Sequence, residues 1–225
     1  MKCYKLPARI SGLIFDMDGT LYTHEEYLKG QIDTIIAQFG KVRGKSFEEA
    51  REAVESYQSE WASAHGGRTI SLGNTLAAFG ITVEEGIRWR EELIEPSLYL
   101  REDPRLRETL STLSDSFALA LVTNNPVLVA RKTLACLGVE EFFPVSVGLD
   151  TCGVSKPHEA PFIKAAELLG LPPKACVSIG DRYDIDLALP LELGMGGILV
   201  DGVEDVHGLP EQLAATISLG LNKNP

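Results

Sequence analysis

The stretch Ile14-Phe15-Asp16-Met17-Asp18-Gly19-Thr20-Leu21 constrains the chain more than any other. An apolar run ends abruptly in two carboxylates one residue apart, followed by glycine and a small hydroxyl residue. An apolar run of this kind suits a strand buried on both faces, and its carboxyl end is where open α/β sheets form binding crevices. Gly19 allows the chain to turn there and present Asp16 and Asp18 to one small volume. A divalent cation such as Mg2+ would offset their like charge.

The 225 residues suffice for one sizeable core and a second, smaller module. A formal net charge of −11 argues against a nucleic-acid partner, because such partners need a basic surface to neutralise phosphates. A small phosphorylated metabolite stays compatible with that charge, since a metal and a local lysine can act against the global sign. Cys3, Cys136, Cys152 and Cys176 form no Cys-x-x-Cys pair and are read as reduced core thiols of a cytoplasmic protein. The first ten residues lack the apolar segment of a signal peptide, and no stretch reaches the length of a membrane span. Either a monomer or a homodimer is ordinary at this size.

After Tyr22 the pattern turns helical. Tyr27, Leu28, Ile32, Ile35, Ile36 and Phe39 recur at helical spacing, and Gly40 is expected to end that helix. Ser46 with Glu49, and Thr82 with Glu85, have the spacing of capping boxes. A further helix is expected from Ser71 to Phe79, and Pro96 interrupts the pattern. Four helices with no intervening strand define an inserted helical domain over residues 22–96, set into a core of residues 1–21 and 97–225. In that core, short apolar strands at 12–15, 117–122, 145–148, 175–179 and 197–200 alternate with helices. The expected fold class is α/β, a doubly wound, mainly parallel five-stranded Rossmann-like sheet with an inserted four-helix domain. A final helix over 209–219 is expected to fray into Asn222-Lys223-Asn224-Pro225.

Four strand ends carry polar groups: Asp16 with Asp18, Thr123, Lys156 in the loop after the third strand, and Asp181. Packing alone explains this repetition poorly. The ordered set Asp16-Met17-Asp18-Gly19-Thr20, Thr123-Asn124-Asn125, Ser155-Lys156-Pro157 and Gly180-Asp181-Arg182-Tyr183-Asp184-Ile185-Asp186 resembles the motifs of the haloacid dehalogenase-like superfamily, in its phosphatase branch. The helical insert between the first two motifs resembles that family's first type of cap.

The resemblance implies a role for each group. Asp16 is the implied nucleophile, forming an aspartyl-phosphate intermediate, and Asp18 the acid and base. Mg2+ is the implied cofactor, held by Asp16, the backbone carbonyl of Asp18 and Asp181. Thr123 and the backbone of Asn124 are implied donors to the phosphoryl oxygens, and Lys156 steadies the nucleophile and the transferred group. Of the two later aspartates, Asp186 is favoured as the additional acidic position; a metal contact through water for one of the pair, and a helix-capping role for Asp184 or Asp186, stay open. His24 lies where the family leads into its cap, and both a substrate contact and a surface role stay open for it. The implied activity is hydrolysis of a small phosphate monoester. The alternatives are a phosphomutase acting on a sugar phosphate and a non-catalytic phosphate-binding module. A dehalogenase would not need Asp18, and a phosphonate hydrolase would need a cap amine, a position for which Lys29 stays open.

Overall fold

In the computed structural model, which describes residues 1–221, a six-stranded sheet runs through the core domain. Strand β1 (Lys2–Tyr4) precedes β2 (Gly12–Phe15). Four helices follow: α1 (Glu25–Arg43), α2 (Phe47–Ala64), α3 (Leu72–Ala78) and α4 (Val83–Leu93). The chain then returns to the sheet through α5 (Pro104–Ser114), β3 (Ala118–Val122), α6 (Val127–Leu137), β4 (Val145–Val147), the short α7 (Leu149–Cys152) and α8 (Glu159–Leu168). It closes with β5 (Cys176–Gly180), a π turn over Tyr183–Leu187, α9 (Ala188–Glu192), β6 (Gly196–Leu199), α10 (Val203–His207) and α11 (Leu209–Leu221). The closing residues 222–225, for which fraying is expected, lie outside the described residues.

The strand order is β1-β6-β5-β2-β3-β4, parallel throughout except at the edge, where β1 runs antiparallel to β6. The sheet is therefore the expected doubly wound one with a sixth strand added. Lys2-Cys3-Tyr4 shows no apolar run because this strand is at the edge and largely exposed. Its exposure also corrects the reading of Cys3 as a core thiol, whereas Cys176 on β5 is buried. All four cysteines are free.

Alternation along the central strands explains the two helical layers. Leu13 and Phe15 of β2 and Leu119 and Leu121 of β3 join one apolar cluster with residues of α5 and α6. Ile14, Ala120 and Val122 point the other way, into a cluster with Phe162, Ala165 and Ala166 of α8. A third cluster lies wholly within the inserted helices, joining Ile35, Ile36 and Phe39 of α1 to Ala50, Val54, Leu76 and Trp89. Both expected capping boxes form, Ser46 with Glu49 and Thr82 with Glu85. Among the described residues no helix is long and apolar enough to cross a membrane.

One helix end is corrected. Helix α1 continues through Gly40 to Arg43 and stops at Gly44, which takes the left-handed conformation with φ 65°. Gly40 instead lies inside the helix, where a Cβ would stand 3.1 Å from Ala50 Cβ and from the carbonyl oxygens of Lys45 and Ser46. The glycine is a packing residue that lets α1 and α2 approach closely. Gly40→Val is therefore expected to cost about 1–3 kcal/mol through overpacking. Gly44→Asn, at an open left-handed position, is expected to stay within about 1 kcal/mol of the parent. Urea denaturation of the two variants checks the assignment, and the reverse order of stability would return the helix end to Gly40.

Candidate active site

The core of the site is an ammonium shared by two buried carboxylates. Lys156, in the connection between α7 and α8, donates from Nζ to Asp16 Oδ1 and to Asp186 Oδ1, both at 2.6 Å, and to the Val122 carbonyl oxygen at 2.9 Å. Three donors meet three acceptors, so the ammonium is saturated. Asp16 follows β2, Val122 ends β3 and Asp186 lies in the π turn after β5, so parallel strands deliver these groups to one end of the sheet. Burial works against the charge on Lys156, but the carboxylates of Asp16 and Asp186 outweigh it and raise the lysine's pKa. The Asp186 pKa is raised by burial and by the charge of Asp16, against the opposing pull of Lys156.

Two carboxylate oxygens remain free. Asp16 Oδ2 and Asp181 Oδ1 are buried without a hydrogen-bond partner. Carboxylate oxygens of Asp16, Asp181 and Asp186 lie within 4.8 Å of one another. Burial, then the charge of Asp16, pushes the Asp181 carboxyl up to about 7. Orphaned hard oxygen donors in one small volume fit a divalent cation such as Mg2+. Gly19 makes this convergence possible: its φ is 80°, and a Cβ there would stand 2.6 Å from Asp181 Oδ2. The Asp18 carboxylate lies outside that trio.

Asp18 is instead held by three donors. Its Oδ1 accepts from the Tyr22 hydroxyl and from Gln31 Nε2 (2.9 Å), and its Oδ2 accepts from Asn125 Nδ2 (2.9 Å). Asn125 also donates to Gln31 Oε1 at 3.0 Å, which closes the network between the sheet and α1. Burial and the negative charge of Asp16 raise the Asp18 pKa, while the bonds from Tyr22 and Gln31 oppose the rise.

The other candidates separate into those inside this constellation and those outside it. Thr123 is buried at the end of β3, and its hydroxyl accepts from the Asn125 amide at 3.1 Å. The Asn124 side chain clamps the lysine loop, accepting from the Lys156 amide (2.6 Å) and donating to its carbonyl oxygen (3.2 Å). Asp186 is central through Lys156, whereas Asp184 accepts from the Thr69 amide of the insert at 3.4 Å. His24 stands apart. Its Nδ1 caps α1 by accepting from the Tyr27 amide at 3.2 Å, and its ring meets Tyr99 edge-on.

A cavity of about 400 Å3 lies between insert and sheet, and His24 does not line it. Its core wall holds Asp18, Asn124, Asn125, Asp181 and Arg182, and its opposite wall is largely aliphatic, with Leu28, Ile32, Ile35 and Ile36 of α1. Asp181 joins cavity to cluster, since it lines the one and belongs to the other. The sequence reading missed Tyr22, Gln31 and Asn125 as partners of Asp18. A signal for Gln31 existed: it falls one helical turn from Leu28 and Ile35, a polar residue on an apolar stripe.

The family model for haloacid dehalogenase-like hydrolases matches residues 10–191, which include every group of this constellation. The chain belongs to the haloacid dehalogenase-like hydrolases. Among its relatives in that family are the phosphoglycolate phosphatase of Aquifex aeolicus, 26% identical over 78% of this chain and 77% of the relative, and the glyceraldehyde 3-phosphate phosphatase of Methanopyrus kandleri, 28% identical over 83% and 82%. The fold matches the crystal structure of a haloacid dehalogenase-like phosphatase from Thermococcus onnurineus, with a TM-score of 0.56, 23% identity, and 85% and 86% of the two chains covered.

The shared ammonium yields a stability prediction. Lys156→Met leaves Asp16 and Asp186 buried without their cation, an arrangement that costs about 3–5 kcal/mol. The Asp186 carboxyl, already raised by burial and now without the opposing pull of Lys156, binds its proton more tightly in the folded than in the unfolded state, so the variant gains stability as pH falls. In metal-free urea denaturation, the deficit relative to the parent should be largest near neutral pH and shrink toward about pH 5, nearer the ordinary carboxylate range. A deficit that is constant with pH would mean that Lys156 contributes through packing rather than charge.

Proposed function

We propose that this hydrolase is a Mg2+-dependent phosphomonoesterase that works through an aspartyl-phosphate intermediate. The observation that carries the reading is the split environment of Asp16. Lys156 engages Oδ1, and Oδ2 is left buried without a protein partner beside Asp181. Asp16, the backbone carbonyl of Asp18 and Asp181 would hold the cation, with residues 22–96 acting as a cap. A cation bound there supplies neutralisation of the phosphoryl oxygens, which lets an anionic nucleophile approach.

The chain's own residues carry the steps. One carboxylate oxygen of Asp16 attacks phosphorus while its other would hold the cation, and the bond from phosphorus to the ester oxygen breaks as Asp18 passes a proton to that oxygen. Asp18 then takes a proton from water, whose oxygen attacks the aspartyl-phosphate and releases inorganic phosphate with Asp16 restored. Burial beside Asp16 supports the acid role, because it favours the protonated form of Asp18. The Tyr22, Gln31 and Asn125 bonds hold its carboxyl in one orientation for both transfers. The Lys156 ammonium offsets charge on the transferred group as well as on the nucleophile. Thr123 and the Asn124 backbone are read as donors to phosphoryl oxygens. The names of the relatives make phosphoglycolate and glyceraldehyde 3-phosphate the first substrates to try.

Phosphate release from a panel of small monoesters that includes these two, with and without Mg2+, tests the reading. Release should require the metal, and Asp16→Asn should lower it by about 10³-fold or more while the fold persists. Ordinary turnover by that variant would remove the nucleophile assignment. Asp18→Asn should lose turnover yet keep its affinity for Mg2+; a parallel loss of both would instead give its side chain a part in the metal site. A sugar phosphate that isomerises without releasing phosphate would favour the mutase.

A further inference from the structure

Among the described residues, two cationic side chains are buried, Lys156 and Arg90. Lys156 has two carboxylates. Arg90, on α4 and only 7% exposed, pairs with none, and its Nη1 donates to the Gly86 carbonyl oxygen of its own helix at 2.9 Å. Burial pulls its pKa down to about 10 against the opposing charge of Asp18 across the cavity, which still leaves the guanidinium charged at neutral pH. A buried charge with no carboxylate in contact is an unfavourable arrangement for a fold, and replacing it by an apolar side chain of similar volume often stabilises a protein.

Arg90 lines the cavity that also holds Asp18, Asn124 and Asp181. The other two arginines there are already compensated. Arg51 pairs with Asp33 and Glu55, and Arg182 lies 3.6 Å from Asp181 and 4.0 Å from Asp186. Among the described residues Arg90 is thus the cavity's one arginine without a carboxylate in ion-pair contact, with only the charge of Asp18 acting on it from further off, in a chain whose net charge is −11. Gly86 leaves room for it, since a Cβ at that position would stand 3.2 Å from Arg90 Nη1.

We propose that Arg90 anchors a carboxylate borne by the leaving group of the substrate, so that this enzyme prefers phosphoric esters of hydroxy acids to esters of uncharged alcohols. The proposal rests on the phosphomonoesterase reading and names the substrate class of that same site. A carboxylate is favoured over a second phosphate by charge. One guanidinium balances a monoanion, whereas a dianion would leave excess negative charge in an aliphatic pocket that already holds Asp18 and Asp181. The planar fork of the guanidinium also matches a carboxylate in two parallel bonds.

The experiment has two arms, both on the Mg2+-loaded full chain, comparing the parent with Arg90→Met and Arg90→Lys. In the first, kcat/KM is measured for phosphoglycolate and for ethyl phosphate, its uncharged counterpart, and for longer pairs of phosphorylated hydroxy acids and alkyl phosphates. In the second, calorimetry measures binding of unreactive probes, 3-phosphonopropionate against propylphosphonate. The parent should favour the carboxylated member in both arms. Arg90→Met should lower activity or affinity toward that member by about 10–100-fold and change the uncharged member less than about threefold, as expected for a lost charge-assisted bond. Arg90→Lys should recover part of the preference. Thermal unfolding of ligand-free Arg90→Met should shift upward, because a buried charge with no carboxylate in contact has been removed.

Equal losses on both members of a pair, or a parent without preference for the carboxylate, overturn the proposal while leaving the phosphatase reading intact. Absence of turnover on every ester counts against the phosphatase reading, and the calorimetric arm still decides the role of Arg90. A downward shift in thermal unfolding with unchanged selectivity would make Arg90 a structural support of α4 and refute the anchor.

Discussion

The ammonium of Lys156, shared between Asp16 and Asp186 and closed by the Val122 carbonyl, is the interaction on which the rest of the site depends. Two carboxylates within reach of one another repel strongly when buried, and a single cation between them offsets that repulsion only with close geometry. Each group comes from a different segment: the end of β2, the end of β3, the loop before α8 and the turn after β5. The bond set thus ties together three parallel strands at the end where their side-chain layers stop. It also divides the two oxygens of Asp16, satisfying one and leaving the other exposed to whatever enters the cluster. A fold that assembles such a group accepts a cost in stability, which is characteristic of sites maintained for chemistry.

The sheet supplies rigidity, and the inserted helices supply everything the sheet end lacks. They have an apolar cluster of their own, while Tyr27 and Ile94 at their base belong to the cluster that flanks the sheet. A polar link also joins the insert to Asp18, because Gln31 of α1 donates to Asp18 and accepts from Asn125. A shift of α1 would therefore change the surroundings of Asp18 as well as the width of the cavity. The Thr69 amide bonded to Asp184 is a second link between insert and core, on the exposed rim.

Much of this was legible in the sequence because the information is local. Buried parallel strands write themselves as short apolar runs, and a strand end carrying Asp16, Thr123 or Asp181 breaks the run with a group that packing does not require. The capping boxes at Ser46 and Thr82 are equally local and formed as read. What escaped was relational. The edge strand Lys2–Tyr4 is recognisable only once β6 is there to pair with it. Gly40 reads as a helix stop until Ala50 is seen against it. The partners of Asp18 come from positions 22, 31 and 125, and no spacing rule joins them.

Arg90 shows the same limit most clearly. In the sequence it is one of several charged residues on an amphipathic helix, next to Trp89, and nothing separates it from Arg88 or Glu91. Only the packed insert buries it, and only the cavity shows that no carboxylate there reaches ion-pair contact with it, whereas Arg51 and Arg182 have theirs. Motifs that bind a reacting group common to a whole family recur as strings, because the same backbone must present them each time. A group that chooses among leaving groups from an inserted helix is marked by its physical isolation rather than by a pattern. A buried charge with no carboxylate in ion-pair contact is such a mark, since neither packing nor solvation accounts for it.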